Sequence, residues 1–376
     1  MKKTLFTLLL ANCFLLTVNA TIRRVGFTAS TSPVFGIDFA DLQTAHNAAV
    51  AGDTIQIYPN TTPTSYSATL NKRLVILGPG YFYNSYNAAS DLNNAGLQNL
   101  AGGINNVSIT IGVGSSGTLL AGHNQLYVTT SNVPDSLNNI SIIRSRNVNV
   151  YWDNSGVCNN WLISQCTVIN TNQTAYGASF IGNRTITNFR VENCLEGIGI
   201  RLNSSPVGIS SGHILNCTGL QGNFALHPNN QSIVVQNCIV ESSSMSGVAN
   251  TIFINNITSS ASSNNPVFTN PGSSGNVFGV SFANNAFFLG YPNNASGSTT
   301  LNSPDTRYQL SATSPAKNAG IIPGTATPTD CGAFGGTNPY KASGIPAVPA
   351  FYRLNAASSS ATTGPYTLTF SVRSNN

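Results

Sequence analysis

Charge is what this sequence has least of: Asp, Glu, Lys and Arg together make up 7% of the chain, and only three residues are Glu. A disordered acidic or basic chain is excluded on that ground, because such chains need far more charge and less apolar content than the 41% found here. The basic residues that exist are dispersed singly or in isolated pairs such as Arg23-Arg24 and Lys72-Arg73. That leaves no clustered basic face for nucleic acid. Long apolar runs are missing beyond the first twenty residues, and none reaches the ~18 residues that cross a bilayer. Long helical periodicity is missing too; Gly numbers 34, Asn, Ser and Thr abound, and apolar residues come in short bursts. Many short strands joined by turns, hence an all-β chain, is what remains.

The N-terminus carries what the rest lacks. Lys2 and Lys3 precede "TLFTLLL" and "FLLTV", and "VNA" ends at Ala20, the layout of an export signal over residues 1–20. "LLANC" around Cys13 departs from a lipoprotein box, since Asn12 stands where Gly or Ala is usual. The expectation is an exported protein, secreted or held at the cell surface, whose chain after Ala20 has 14 basic and 11 acidic residues and a net charge of +3. Sequons at Asn139 and Asn172 are expected by chance in so Asn- and Thr-rich a chain.

A repeat organises the middle. "LISQCTVIN" (162–170), "FRVENCLEG" (189–197), "GHILNCTGL" (212–220) and "VVQNCIVES" (234–242) each run from apolar residues through one or two polar ones to Cys. The cysteines are Cys166, Cys194, Cys217 and Cys238, at steps of 28, 23 and 21. Copies without Cys lie at 142–150, 252–260 and 280–288. A leucine-rich repeat needs recurring Leu and a helical half, and neither is present. A parallel β-helix fits: each coil supplies short strands and the next stacks ~4.8 Å above it. In "VVQNCIVES" Val235 points inward, Gln236 outward, Asn237 makes the bend, and Cys238 and Val240 point inward again. Asn tolerates left-handed backbone angles, so Asn193, Asn216 and Asn237 form a bend column in which stacked amides can ladder. The four cysteines form an interior column of small apolar fillers expected to be free thiols, because stacked side chains point in parallel rather than toward each other. Cys158 and Cys331 have no assigned place.

The ends read differently. "DFADLQTAHNAAVAGD" predicts a helix over about 38–52, capped by Asp38 or Asp41 and ended by Gly52, with Leu42, Ala45 and Ala49 on one face and His46 on the polar surface. It is a natural lid for the open end of a solenoid. Strands "TIQIY" and "NKRLVILGPGYF" follow. Together, "AGDTIQI", "KRLVILGPG", "YQLSATSPAKNAG" (308–320) and "DCGAFGG" (330–336) make residues 25–340 resemble exported bacterial right-handed parallel β-helix proteins with the pectate-lyase-like fold. The resemblance implies a single domain over 21–340. Its members range from pectin and alginate lyases and polygalacturonases to adhesins, so it implies fold rather than chemistry. Residues 341–376 are Pro-punctuated and then alternate at Tyr366, Leu368, Phe370 and Val372, predicting an extended tail whose strands form a C-terminal cover.

Chemistry is harder to find. Hydrolysis of glycosides needs two carboxylates at a set separation; the sequence has no adjacent Asp pair, and "SGHIL" offers only Gly212-His213 of a Gly-His-Gly pattern. A lyase needs a base and Ca²⁺ held by several carboxylates, and no such cluster exists locally. No cofactor is expected and nothing in the sequence supports Ca²⁺. The best charged cluster is "FRVENCLEGIGIR", where Arg190, Glu192 and Glu196 are the candidate catalytic groups, against the plainer reading of an exposed ion pair. Tyr151, Trp152, Asp153 and Trp161 are candidate sugar-binding residues, since aromatic faces stack on sugar rings; Trp152 can equally plug a loop. His123 and His227 lack partners at metal spacing and read as structural. "IGVGSSGT" lacks the Lys of a phosphate loop. The sequence therefore predicts a monomeric, non-catalytic β-helix that binds polysaccharide or mediates adhesion, with a polysaccharide lyase or glycoside hydrolase as the rival and a purely structural surface role as the third reading.

Overall fold

The computed structural model describes residues 20–26, 38–58, 64–80, 105–131, 136–152, 156–167, 180–182, 185–195, 211–220, 224–225, 232–240, 245–246, 250–259, 270–282, 286–289, 305–341, 350–356 and 368–373. The export signal, Asp153, Glu196 and His227 lie outside the described residues.

Strands are labelled β1 to β28 in chain order. Eleven of them stack side by side in one sheet: β2 (Asp38–Phe39), β1 (Ile22–Val25), β3 (Thr54–Ile57), β5 (Val75–Leu77), β7 (Leu119–Ala121), β10 (Ser141–Ile143), β13 (Leu162–Ser164), β16 (Phe189–Glu192), β17 (Gly212–Leu215), β20 (Ile233–Gln236) and β23 (Thr251–Ile254). A second sheet holds five: β4 (Thr64–Leu70), β6 (Asn105–Ile111), β8 (Gln125–Thr130), β11 (Val148–Trp152) and β14 (Phe180–Gly182). Two sheets of three follow, β9 (Leu137–Asn138), β12 (Val157–Asn159) and β15 (Thr185–Thr187), then β18 (Thr218–Leu220), β21 (Ile239–Val240) and β24 (Ile257–Thr258). β19 (Phe224–Ala225) and β22 (Met245–Ser246) pair alone. Every pairing in these stacks is parallel and joins one coil to the next, which is consistent with a β-helix.

Alternation within each short strand is what builds the core. In the long sheet Ile55, Ile76, Leu120, Ile142, Ile163, Val191, Ile214, Val235 and Phe253 fall in register one above another and are buried. Burying each side chain contributes ~1.5–3 kcal/mol. A one-residue slip would turn the whole column out to water, so the register is strongly fixed. Cys166, Cys194, Cys217 and Cys238 continue the interior beyond the bend, all buried and free, as are Cys158 on β12 and Cys331. Each column thiol donates to the carbonyl two residues earlier, for example Cys217 Sγ to Leu215 O at 3.3 Å.

Two bends flank the long sheet, and both use left-handed residues. Asn139, Asn160 and Asn188, with φ of 57°, 57° and 51°, lead into it; Arg144, Gln165, Asn193, Asn216, Asn237 and Asn255, with φ between 45° and 56°, lead out. A ladder forms at the first bend, where Asn160 Nδ2 donates to Asn139 Oδ1 at 3.1 Å. At the second, the expected ladder is replaced. A strap over residues 316–341, containing the antiparallel pair β25 (Gly320–Ile321) and β26 (Pro328–Thr329), runs back along the solenoid and takes the amides. Asn237 donates to Ile321 O at 2.9 Å, Asn216 to Asp330 O at 3.3 Å, Asn193 to Gly335 O at 2.7 Å, and Gln165 to Asn338 Oδ1 at 2.8 Å. The side chains are buried by the strap rather than by one another, so its carbonyls are the available acceptors.

Beneath the strap lies a second apolar cluster. Leu195, Ile239 and Ile257, each following an interior residue, pack with Phe282, Phe287, Phe288, Tyr308, Cys331, Ala333 and Tyr340. This corrects the reading of 280–288 as a coil: Phe282, Phe287 and Phe288 interlock at centroid distances of 4.6 and 6.1 Å inside this cluster. The coil that stacks on 252–260 is made earlier, where Ser274 and Val277 bridge in parallel to Ile254 and Ile257, which leaves the three rings to fill the layer between strap and solenoid.

At the other end, helix α1 (Leu42–Ala48) is shorter than predicted. Asp41 caps it through Thr44 N at 2.8 Å. Asp38 does not cap; it sits on β2 and pairs with Arg24 at 2.6 Å. The helix stops at Ala48 because Asp53 draws the Val50 N–H at 3.0 Å, and Gly52, with φ of 98°, turns the chain only afterwards. Leu42, Ala45 and Ala49 are buried in the core, and the helix packs on β1, β3 and β4. Gln43 Oε1 accepts from Thr69 N on the open edge of β4. His46 is no surface residue: it is 2% exposed, its Nε2 accepting from Asn71 N at 3.3 Å. Burial holds its pKa below the ordinary value, with Lys72 adding to the effect against the hydrogen bonds of Asn47 and Asn71. The tail forms an antiparallel pair, β27 (Ala350–Ala356) with β28 (Leu368–Arg373). No helix among the described residues is long and apolar enough to cross a membrane.

Candidate functional site

Across β4, β6, β8 and β11 the outward side of the five-stranded sheet is polar and, among the described side chains, carries no charge. Ser67, Ser108, Tyr127 and Asn149 stand in register across β4, β6, β8 and β11, and beside them Thr69, Thr110, Thr129 and Tyr151. The alternate residues Tyr66, Ala68, Val107, Ile109, Leu126, Val128 and Val150 are buried, so this polar row is the face left to water. Thr suits such a position because its branched Cβ packs on a pleated surface. Thr110 and Thr129 hydroxyls meet at 3.1 Å, and Gln125 Nε2 donates to Tyr127 OH at 2.5 Å, which fixes that ring's tip. Tyr127 lies opposite Asn149, two residues from Tyr151, so the two half-buried tyrosines occupy diagonal positions on adjacent strands. Each ring offers an apolar face with a polar tip.

A different surface lies on the long sheet. Its outward rows carry many aliphatic residues, including Leu119, Leu162, Val234 and Ile252, with charge at the Arg24–Asp38 pair near the N-terminal end and again at Arg190 and Glu192. Arg190 Nη2 meets Glu192 Oε2 at 2.5 Å, with side chains 53% and 13% exposed. His213 sits beside Arg190 in register on β17 and is exposed. Its pKa is lowered, first by partial burial and then by the Arg190 charge. Ser164 donates weakly to Glu192 Oε1 at 3.4 Å. One carboxylate with one guanidinium and one imidazole lacks the second carboxylate that glycoside hydrolysis needs.

The predicted residues therefore scatter. Arg190 and Glu192 do share the outward side of β16. Tyr151 is outward on β11, and Trp152 follows it with its backbone paired to Gly182. Trp161 contradicts its assignment: it is 1% exposed, and its indole N–H donates to Leu137 O at 2.8 Å. It follows the left-handed Asn160 directly, and that bend turns it into the core. Among the described residues no three His, Cys, Asp or Glu side chains are placed to hold a metal ion. Burial pushes the Cys166 and Cys217 thiols well up and Cys331 to about 12, while, against its own burial, hydrogen bonds from Cys166 and Cys217 hold Cys194 low; all four are sealed from solvent. Tyr127 and the Ser/Thr rows on β4 and β6 were not among the predicted residues. The signal was there in the alternations "SITI" and "LYVTT".

No model of a known protein family matches the chain, and no curated protein matches it.

Proposed function

We propose that this is an exported, non-catalytic protein of the right-handed parallel β-helix, pectate-lyase-like kind, which binds neutral polysaccharide on the outer face of the five-stranded sheet. One observation carries the reading. On β4, β6, β8 and β11 the described outward residues form an uncharged array of hydroxyl and amide groups that includes the Tyr127 and Tyr151 rings. A neutral glycan presents hydroxyls to bond and apolar ring faces to stack, and it demands no counter-charge. The export signal read in the sequence at Lys2 to Ala20 supports this reading, since an exported protein meets polysaccharides. The handedness follows the general preference of parallel crossovers.

Arg190, Glu192 and His213 favour a second reading, in which an acid–base site on the long sheet processes an acidic glycan. The face at Tyr127 is preferred because it needs no group that is missing. Affinity electrophoresis on neutral and uronate-containing polysaccharides, with absorbance and reducing-end assays run in parallel, separates the two. The binding reading expects retention on a neutral polymer that weakens about tenfold in Tyr127→Ala or Tyr151→Ala, the loss of ~1.4 kcal/mol for one stacking ring. Turnover that vanishes in Glu192→Gln would replace it.

A further inference from the structure

His123 lies at the root of β8, two residues before the strand that carries Tyr127. It is fully buried. Its backbone and side chain join neighbouring coils: the N–H donates to Ser145 Oγ at 3.2 Å, the carbonyl accepts from Arg146 N at 2.7 Å, and Nε2 sits 3.3 Å from Ile76 O. A carbonyl can only accept, so Nε2 bears the hydrogen and Nδ1 is a bare lone pair. Nδ1 has no partner. The backbone of Gly78 closes over it, such that a Cβ on that glycine would come within 2.7 Å.

Among the described residues no carboxylate faces this site. From β5 the facing groups are Ile76 and Gly78; from the bend after β10 they are Ser145 and Arg146, whose guanidinium turns to Asn124 Oδ1 at 3.2 Å. The one charged side chain among these groups, Arg146, is of the wrong sign. A proton added to Nδ1 would be a charge sealed in the core with no acceptor, a state that a buried site resolves by opening. Opening there frees the 122–124 bend, where Gly122, with φ of 75°, and the Arg146–Asn124 contact set the entry of β8.

We propose that His123 is an acid-sensitive latch for the outer face of the five-stranded sheet, its protonation releasing β8 and with it the Tyr127 row. The regulatory part rests on the sugar-binding reading; the opening itself does not. Burial holds the His123 pKa at about 4, against the Ile76 hydrogen bond that raises it. Because that lies below the ordinary 6.5, the closed state loses ground as pH falls from 6.5 toward 4. The open-to-closed ratio at this bend should rise about tenfold by about pH 5.5 and on the order of a hundredfold by about pH 4.

The test is hydrogen exchange followed by mass spectrometry on the mature protein between about pH 7 and pH 4, comparing peptides over 119–130 with peptides over 233–254 as an internal reference. The latch expects protection over 119–130 to fall at least about tenfold relative to the reference, and His123→Gln, which keeps the Ile76 bond without a titratable ring, to abolish the change. Unchanged relative protection in the wild-type protein overturns the latch whether or not the variant folds, as does an equal change in a folded variant. Retention on the bound neutral polysaccharide is measured over the same pH range. Selective opening without loss of retention overturns the coupling to the sugar face. Failure of every polysaccharide at neutral pH removes the binding reading and the coupling, while the exchange data still decide the latch.

Discussion

Asn139, Asn160 and Asn188 turn the chain into the long sheet with their amides exposed; Gln165, Asn193, Asn216 and Asn237 turn it out again with theirs buried. The backbone conformation is the same at both bends. At the first, Asn160 bonds Asn139 and Asn188 bonds Asn159 with the side chains open to solvent, and each residue needs only to tolerate a left-handed angle. At the second, the same residue type becomes an anchor, because a crossing segment supplies carbonyls and removes the water. One local rule, Asn at a bend, therefore serves two levels of structure, and burial decides which. The lesson is that the repeat motif marks an internal docking line as much as a coil.

The comparison breaks most visibly if the strap is displaced. A Cβ at Gly335 would overlap the Asp330 carbonyl oxygen and crowd Asn216 Nδ2 at 3.0 Å. Gly335→Val should cost more than ~3 kcal/mol and split thermal unfolding so that the strap-bound coils melt first. A single transition at the wild-type midpoint would show the strap to be dispensable. Next, Asn237→Ala and Asn160→Ala set the buried bend against the exposed one. Both lose ~1 kcal/mol from the left-handed backbone, and only Asn237→Ala adds ~1–3 kcal/mol for the buried Ile321 groups it leaves unpaired. Equal urea midpoints for the two variants would erase the distinction.

Thiol labelling sharpens it further. All six described cysteines should be silent in the native protein and all should react once it is denatured without reductant. In urea below the main transition Cys331, on the strap, should label before Cys217, inside the coil. The smallest effect is expected at Arg190→Ala, which removes a half-exposed ion pair and should change stability by less than ~1 kcal/mol. It should leave retention on neutral polysaccharide untouched.

Much of the solenoid was legible because Cys and Asn recur at fixed places beside apolar residues. The coils at 162–170, 189–197, 212–220, 234–242 and 252–260 all contribute strands to the long sheet. The first half of the solenoid was less legible, since β6 and β8 carry no such marker and their only sign is alternation over a few residues. The strap was invisible for a physical reason: the bend residues it anchors are 84 to 174 residues away, and most of those anchors go to its backbone carbonyls, which any residue type supplies. Trp161 misled because aromatic type alone says nothing of direction, which Asn160 sets. His46 misled in the same way, its polarity suggesting water where Asn71 and Asn47 supply the partners.

The strap also makes the molecule count. Successive coils present Asn237, Asn216, Asn193 and Gln165 in order, and the strap meets them in order at Ile321, Asp330, Gly335 and Asn338. Duplicating a coil between 166 and 237 would shift every anchor beyond it by ~4.8 Å and leave the strap too short. Coils toward the N-terminus, which no such segment spans among the described residues, carry no equivalent tally. Descendants of this sequence should therefore vary in length by gaining or losing turns before residue 165, while the number of turns after it stays constant.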